Sequence, residues 1–122
     1  MDATQRSPAE LLTGARAGRG DCLGELLQRF GNYLTVLSTA QLDAKLRGRV
    51  SPSDVVQETY VEAHRDFPQF RGETESEFTA WLRQILVQNL ARAVERHVLA
   101  AKRDVRRERS MEELRRAVAR SS

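Results

Sequence analysis

Apolar positions in this chain recur at steps of three and four and hardly ever alternate, so the pattern predicts helices and offers no strand candidate. Leu23, Leu26, Leu27, Phe30, Leu34 and Leu37 draw one stripe. Val55, Val56, Thr59, Tyr60, Ala63 and Phe67 draw a second. Phe78, Trp81, Leu82, Ile85, Leu86, Leu90, Ala93, Val94, His97 and Val98 draw a third, the longest. Three starts share one device: Ser7-Pro8-Ala9-Glu10, Ser51-Pro52-Ser53-Asp54 and Thr74-Glu75-Ser76-Glu77 each set a hydroxyl three residues before an acid. The hydroxyl accepts from an orphan backbone N–H, and the acid can bond back. Pro8 and Pro52 fall at the first helical position, where the missing N–H is not needed.

The predicted order is a helix from Pro8 to about Ala17, stopped by Gly18-Arg19-Gly20, and a second capped by Asp21. The second continues towards Leu46, with Gly48 ending it. A third runs from Pro52 to about Asp66, and Pro68 forces the break. The fourth spans roughly Glu75 to Lys102, and at 1.5 Å per residue reaches about 40 Å. The fold expected is all-α, a compact bundle of about four helices with a long C-terminal one. Residues 1–7 read as a flexible N-terminus, 8–103 as the helical domain, and 104–122 as a linker or tail. Ser110 caps a short helix over Met111–Ala119 within that tail.

The chain has 122 residues, enough for one domain with a modest core. Net charge is only +3, but charge is sorted. Residues 54–77 carry seven acids against two bases, and residues 83–109 carry eight bases against three acids. An acidic and a basic helix in one small domain point to two macromolecular partners, a basic protein surface and phosphate. A single cysteine, Cys22, leaves no internal disulfide and suits a reducing compartment. No apolar run reaches membrane-spanning length and no signal-peptide pattern opens the chain, so the expectation is a cytoplasmic protein without membrane insertion.

His64 and His97 sit on different helices without partners at metal spacing, and no HExxH, CxxC, P-loop or GxSxG pattern occurs. The reading is therefore no enzyme, no metal and no cofactor. Asp54, Glu58 and Glu62 follow i, i+4, i+8 spacing and share one face, where like charges oppose each other. That face is either solvated, with Arg65 as a nearby countercharge, or a dock for a basic helix, with Gln57 adding directional hydrogen bonds. Asn89, Arg92 and Arg96 offer amide and guanidinium donors to DNA, although most arginine-rich faces are merely solvated. Phe70 has no periodic reason to be buried, and with Arg71 and Gly72 it makes a loop fit to receive an unstacked base.

The order Asp54-Val-Val-Gln-Glu, Phe70-Arg-Gly-Glu, Phe78-Thr-Ala-Trp-Leu-Arg resembles region 2 of the bacterial sigma-70 family, and most of all the small extracytoplasmic-function (ECF) sigma factors. The likeness covers about residues 8–103. It implies that Asp54, Gln57 and Glu58 dock on the β′ clamp helices of RNA polymerase core. It also implies that the Phe70–Glu73 loop and the next helix capture the non-template strand of the promoter −10 element, flipping a base into a pocket. Phe70, Arg71, Arg83, Gln88, Asn89, Arg92 and Arg96 are the DNA-binding candidates, and an anti-sigma factor is a further expected partner. Housekeeping members carry two aromatics at the melting wedge. Here Ala80 precedes a single Trp81, which implies weaker melting and reliance on a well-matched promoter. Many small members have Asn at the place of Gln88, so either Gln88 or the adjacent Asn89 faces DNA. No helix-turn-helix pattern follows residue 103, and the sequence reads as a region 2 domain without region 4.

Two other readings remain open at this stage. One is a sigma-like interaction module that binds polymerase or an anti-sigma factor without reading a promoter. The other is an enzyme with an acidic site at Asp54 and Glu58.

Overall fold

A computed structural model describes residues 6–121. Six α-helices and one 3₁₀ turn follow in order: α1 (Pro8–Arg16), α2 (Gly20–Arg29), α3 (Gly31–Gln41), α4 (Ala44–Arg47), α5 (Pro52–Asp66), the 3₁₀ turn (Phe67–Gln69) and α6 (Glu75–Arg120). The described residues contain no strand, in line with the all-α expectation.

The three predicted caps are present. Ser7 Oγ accepts from the Glu10 N–H at 3.2 Å, and Ser51 Oγ from the Asp54 N–H at 3.3 Å. Thr74 and Glu77 form the full reciprocal box. Residues 1–5 of the expected flexible N-terminus lie outside the described residues. Arg6 is not loose, since its guanidinium lies 2.7 Å from Glu25 Oε2 and donates to Cys22 Sγ.

Three boundaries differ from the sequence reading. Asp21 does not cap α2; Arg19 takes that position without a side-chain bond, and Asp21 sits inside the first turn. There its carboxylate still faces the positive end of the helix. The expected long second helix is broken into α2, α3 and α4. Phe30 interrupts the regular helix at φ −91°, ψ −4°, at the edge of the right-handed region and next to the poor helix former Gly31. Its ring packs edge-on against Phe78 at 5.6 Å, a contact the periodic stripe alone does not show. Leu42 is extended and buried, and Asp43 then caps α4 through the Leu46 N–H at 2.9 Å.

The third correction concerns the tail. No separate helix starts at Ser110; α6 runs unbroken to Arg120, on the order of 70 Å. No Gly or Pro occurs after Gly72, so nothing in the sequence interrupts the hydrogen-bond ladder. Arg, Glu, Leu and Ala favour it, and Glu112 pairs with Arg115 and Arg116 at 3.6 Å. The last buried residue of α6 is Leu90, and beyond Ala100 every described residue is exposed. Val98, expected in the buried stripe, is 42 % exposed.

The core lies between α1–α3 on one side and α5 with the first half of α6 on the other. Leu11, Leu12, Leu26 and Leu34 meet Val55, Val56 and Ala63, and Phe78, Leu82 and Leu86 fill the centre. Phe67, Phe70, Phe78 and Trp81 form an aromatic cluster with centroids 5.0–6.2 Å apart. This cluster closes the core beneath the loop that joins the 3₁₀ turn to α6.

Candidate functional site

Helix α5 presents Asp54, Gln57 and Glu58 to solvent, while Val55, Val56 and Thr59 turn inward. This is the face expected from the spacing. Its countercharges are not the expected ones. Arg65 bonds its neighbour Asp66 at 2.8 Å. Glu62 instead pairs with Arg92 at 3.4 Å, and Glu58 with Arg96 at 3.7 Å. Both arginines belong to α6, which packs along α5. The acidic and basic stripes are therefore one continuous band, not two remote faces. A cleft of about 320 Å³ in that band is lined by Asp54, Glu58, Arg96 and His97 among others. The Arg96–Glu58 pair is exposed and Glu62 is half-buried beside an exposed Arg92, so each pair is worth about 1 kcal/mol at most.

The two amide candidates on α6 separate cleanly. Gln88 is exposed and Asn89 is buried, 1 % exposed. Asn89 Nδ2 donates to Thr59 Oγ1 at 3.2 Å, and that hydroxyl donates to the Val55 carbonyl at 2.8 Å. Asn89 thus ties α6 to α5 and does not reach outward, which removes it from the solvent-facing DNA candidates. Thr59→Val should cost about 1–3 kcal/mol, because it leaves a buried amide without its acceptor at nearly constant volume. Thr59→Val with Asn89→Leu should recover part of that loss in a urea-melting double-mutant cycle.

Gln84, Gln88, Arg92 and Arg96 follow i, i+4 spacing, and all are exposed. Gln84 was missed in the sequence reading, although its spacing to Gln88 could have revealed it. Arg83 is exposed too, but lies about 140° around the axis from Gln88, beside Ala80 and Val87. It does not join the stripe.

The loop holds a second surprise. Phe70 is buried, 8 % exposed, stacked on Phe67 and 5.0 Å from the Trp81 ring. It serves the core and offers no free face to an unstacked base. Arg71 is exposed beside it, and Gly72 is buried. A Cβ on Gly72 would come within 2.8 Å of Glu77 Cβ and would also strike the Phe70 ring, so the chain needs glycine there. Arg16, far away in sequence, donates to the carbonyls of Phe70 and Gly72. No local signal in α1 marks it.

Glu77 closes the other side. Its carboxylate is held below the usual range, first by the Glu73 N–H, then by the Thr74 hydroxyl and N–H. A depressed native pKa contributes stability above the ordinary carboxylate range and loses it as pH falls through the depressed value. Melting followed from neutral to strongly acid pH should therefore show a smaller acid-side decline in Glu77→Gln than in the parent chain.

Among the described residues no cluster of His, Cys, Asp and Glu could hold a metal ion. No helix of the described residues is long and apolar enough to cross a membrane. His64 is exposed and His97 half-buried at the cleft. A larger groove, about 600 Å³, lies between α4 and the distal part of α6; His97 lines it, but none of the residues expected to bind polymerase or DNA does.

Comparison with known families matches residues 40–99 to the Sigma-70 region 2 model. No curated protein and no solved structure matches the chain. The matched segment takes in α4, α5, the loop and α6 as far as Leu99, and excludes α1 and α2.

Proposed function

Because residues 40–99 belong to the sigma-70 region 2 family, a family of transcription initiation rather than catalysis, we propose how this chain divides that work among its residues. The general role of such a domain is RNA polymerase binding and promoter −10 recognition. In this chain Asp54, Gln57 and Glu58 dock on the β′ clamp helices. Arg71, Gln88, Arg92 and Arg96 hold the non-template strand of the opened −10 element, with Arg83 as an outlying phosphate contact. The setting is the cytoplasm of a bacterium, and the subtype is extracytoplasmic-function (ECF).

One observation carries the reading. The α5 acids and the α6 guanidinium groups lie side by side in a single exposed band, so polymerase and strand can be bound next to each other. Asn89 supports that band from within, and Phe70 braces the Arg71 loop.

A second reading has its own support. Arg92 and Arg96 are already engaged by Glu62 and Glu58, and two of the expected DNA contacts are buried. Those facts suit a module that binds polymerase, or an anti-sigma factor, without reading DNA.

The test is binding of the chain to a purified β′ clamp-helix fragment at low and high salt, beside Asp54→Lys/Glu58→Lys. We expect salt-sensitive binding that falls at least about tenfold in the variant, with helicity by circular dichroism unchanged. No binding by the well-folded parent chain would reject the polymerase role.

A further inference from the structure

The loop of Phe70–Thr74 has its backbone divided between two opposite charges. Arg16 Nη1 donates to the Phe70 carbonyl at 3.3 Å and to the Gly72 carbonyl. The Glu77 carboxylate accepts from the N–H groups of Glu73 and Thr74 at 3.3 Å each. The Arg16 guanidinium also lies 6.0 Å from the Phe70 ring centre, within cation–π range. Buried Gly72 closes against Phe70 and Glu77 with no room for a side chain. Between the two carbonyls held by Arg16 stands Arg71, whose side chain is exposed.

A short loop carrying an exposed cation would ordinarily sample many shapes, and ordering it on binding would weaken affinity. Here the ordering is completed in the free protein. We propose that Arg16 is a positioning residue: from α1 it locks the loop in the shape that presents Arg71 to a single-stranded nucleic acid. Arg16 lies outside the family-matched segment, so the contact joins α1 to that segment's nucleic-acid loop. The inference rests on the strand-capture reading above.

Parent chain, Arg16→Ala and Arg16→Lys are compared on three readouts. The first is amide hydrogen exchange at Glu73 and Thr74, with Trp81 emission as a second report on the loop. The second is enrichment of preferred strands from a pool of random-sequence single-stranded DNA dodecamers, beside bulk affinity for the unselected pool. The third is melting and binding to the β′ clamp-helix fragment.

We expect Arg16→Ala to exchange faster at both amides and to lose about five- to tenfold in enrichment, as a loss of preorganisation should. Its pool affinity should fall by less than its enrichment, and its melting and clamp binding should stay close to those of the parent. Arg16→Lys, which keeps the charge but not the rigid planar group whose Nη1 meets both carbonyls, should fall between. Unchanged exchange and enrichment in Arg16→Ala, with a parent chain that does select strands, would overturn the inference and spare strand capture. Joint loss of enrichment, pool affinity, clamp binding and melting would make Arg16 merely structural and would also overturn it. A parent chain that selects no strand would remove strand capture itself, and this inference with it.

Discussion

Phe78→Ala is expected to destabilise the fold by about 3–5 kcal/mol, the usual range for emptying a fully buried phenylalanine site. Phe78 has no exposed surface and touches Phe30, Phe67, Phe70 and Trp81 with centroids 5.6–6.2 Å away. Those neighbours are flat, stiff rings anchored on separate elements, so they cannot collapse into the space left behind. Domains of this size hold only about 5–15 kcal/mol in total, so the variant should be marginal at 37 °C. Urea denaturation read by far-UV circular dichroism gives the cost. Trp81 emission should shift in the same samples, since its ring is half-buried against the lost phenyl group. Phe78→Leu keeps most of the volume and should retain more of the stability. A loss below about 1 kcal/mol in Phe78→Ala would mean that the cluster repacks and does not brace the loop.

Arg71→Ala/Arg92→Ala/Arg96→Ala is expected to weaken binding to single-stranded −10 DNA by one to two orders of magnitude at low salt. Removing three phosphate partners should flatten the dependence of log affinity on log salt by about 2, at roughly 0.7 per charge for a single strand. Stability should change by no more than about 2 kcal/mol, because Arg92 and Arg96 each make one surface ion pair. The geometry adds a sign to the companion measurement. Glu58 and Glu62 lose their internal partners, so binding to a basic clamp surface should be kept or tightened. Equal loss of strand and clamp binding in a folded variant would mean that the two halves of the band do not act separately.

The parts of this structure legible in the sequence are the ones whose causes are local. Ser7, Ser51 and Thr74 cap helices through groups three residues away, and α5 gives way to the 3₁₀ turn at Pro68 as expected, although Phe67 before it keeps helical backbone at φ −55°, ψ −38°. The exposed acids of α5 follow directly from helical spacing. The parts that escaped depend on partners far along the chain. Phe30 breaks the long second helix where its ring meets Phe78. Asn89 turns inward because Thr59 waits on the next helix. Phe70 is buried without any periodicity, since a cluster of rings and not a helix face encloses it. Arg92 and Arg96 looked like free cations because the pairing of α5 with α6 was not visible in one dimension. The tail was misread for a different reason: a charged segment can be a continuous helix without any core to hold it.

That last feature divides α6 thermodynamically, although its hydrogen bonds run without a gap. Up to Leu90 the helix can melt only when the core does, so its backbone opens with the full free energy of the domain. From Ala101 to Arg120 no side chain is sheltered, and the segment relies on propensity and neighbouring charges. Twenty residues of that kind lie near the helix–coil midpoint in water, fraying from the free end on a sub-microsecond timescale. Heating therefore drains helical signal gradually before any cooperative transition begins. A protease meets cleavable backbone in the distal segment while the domain is still native.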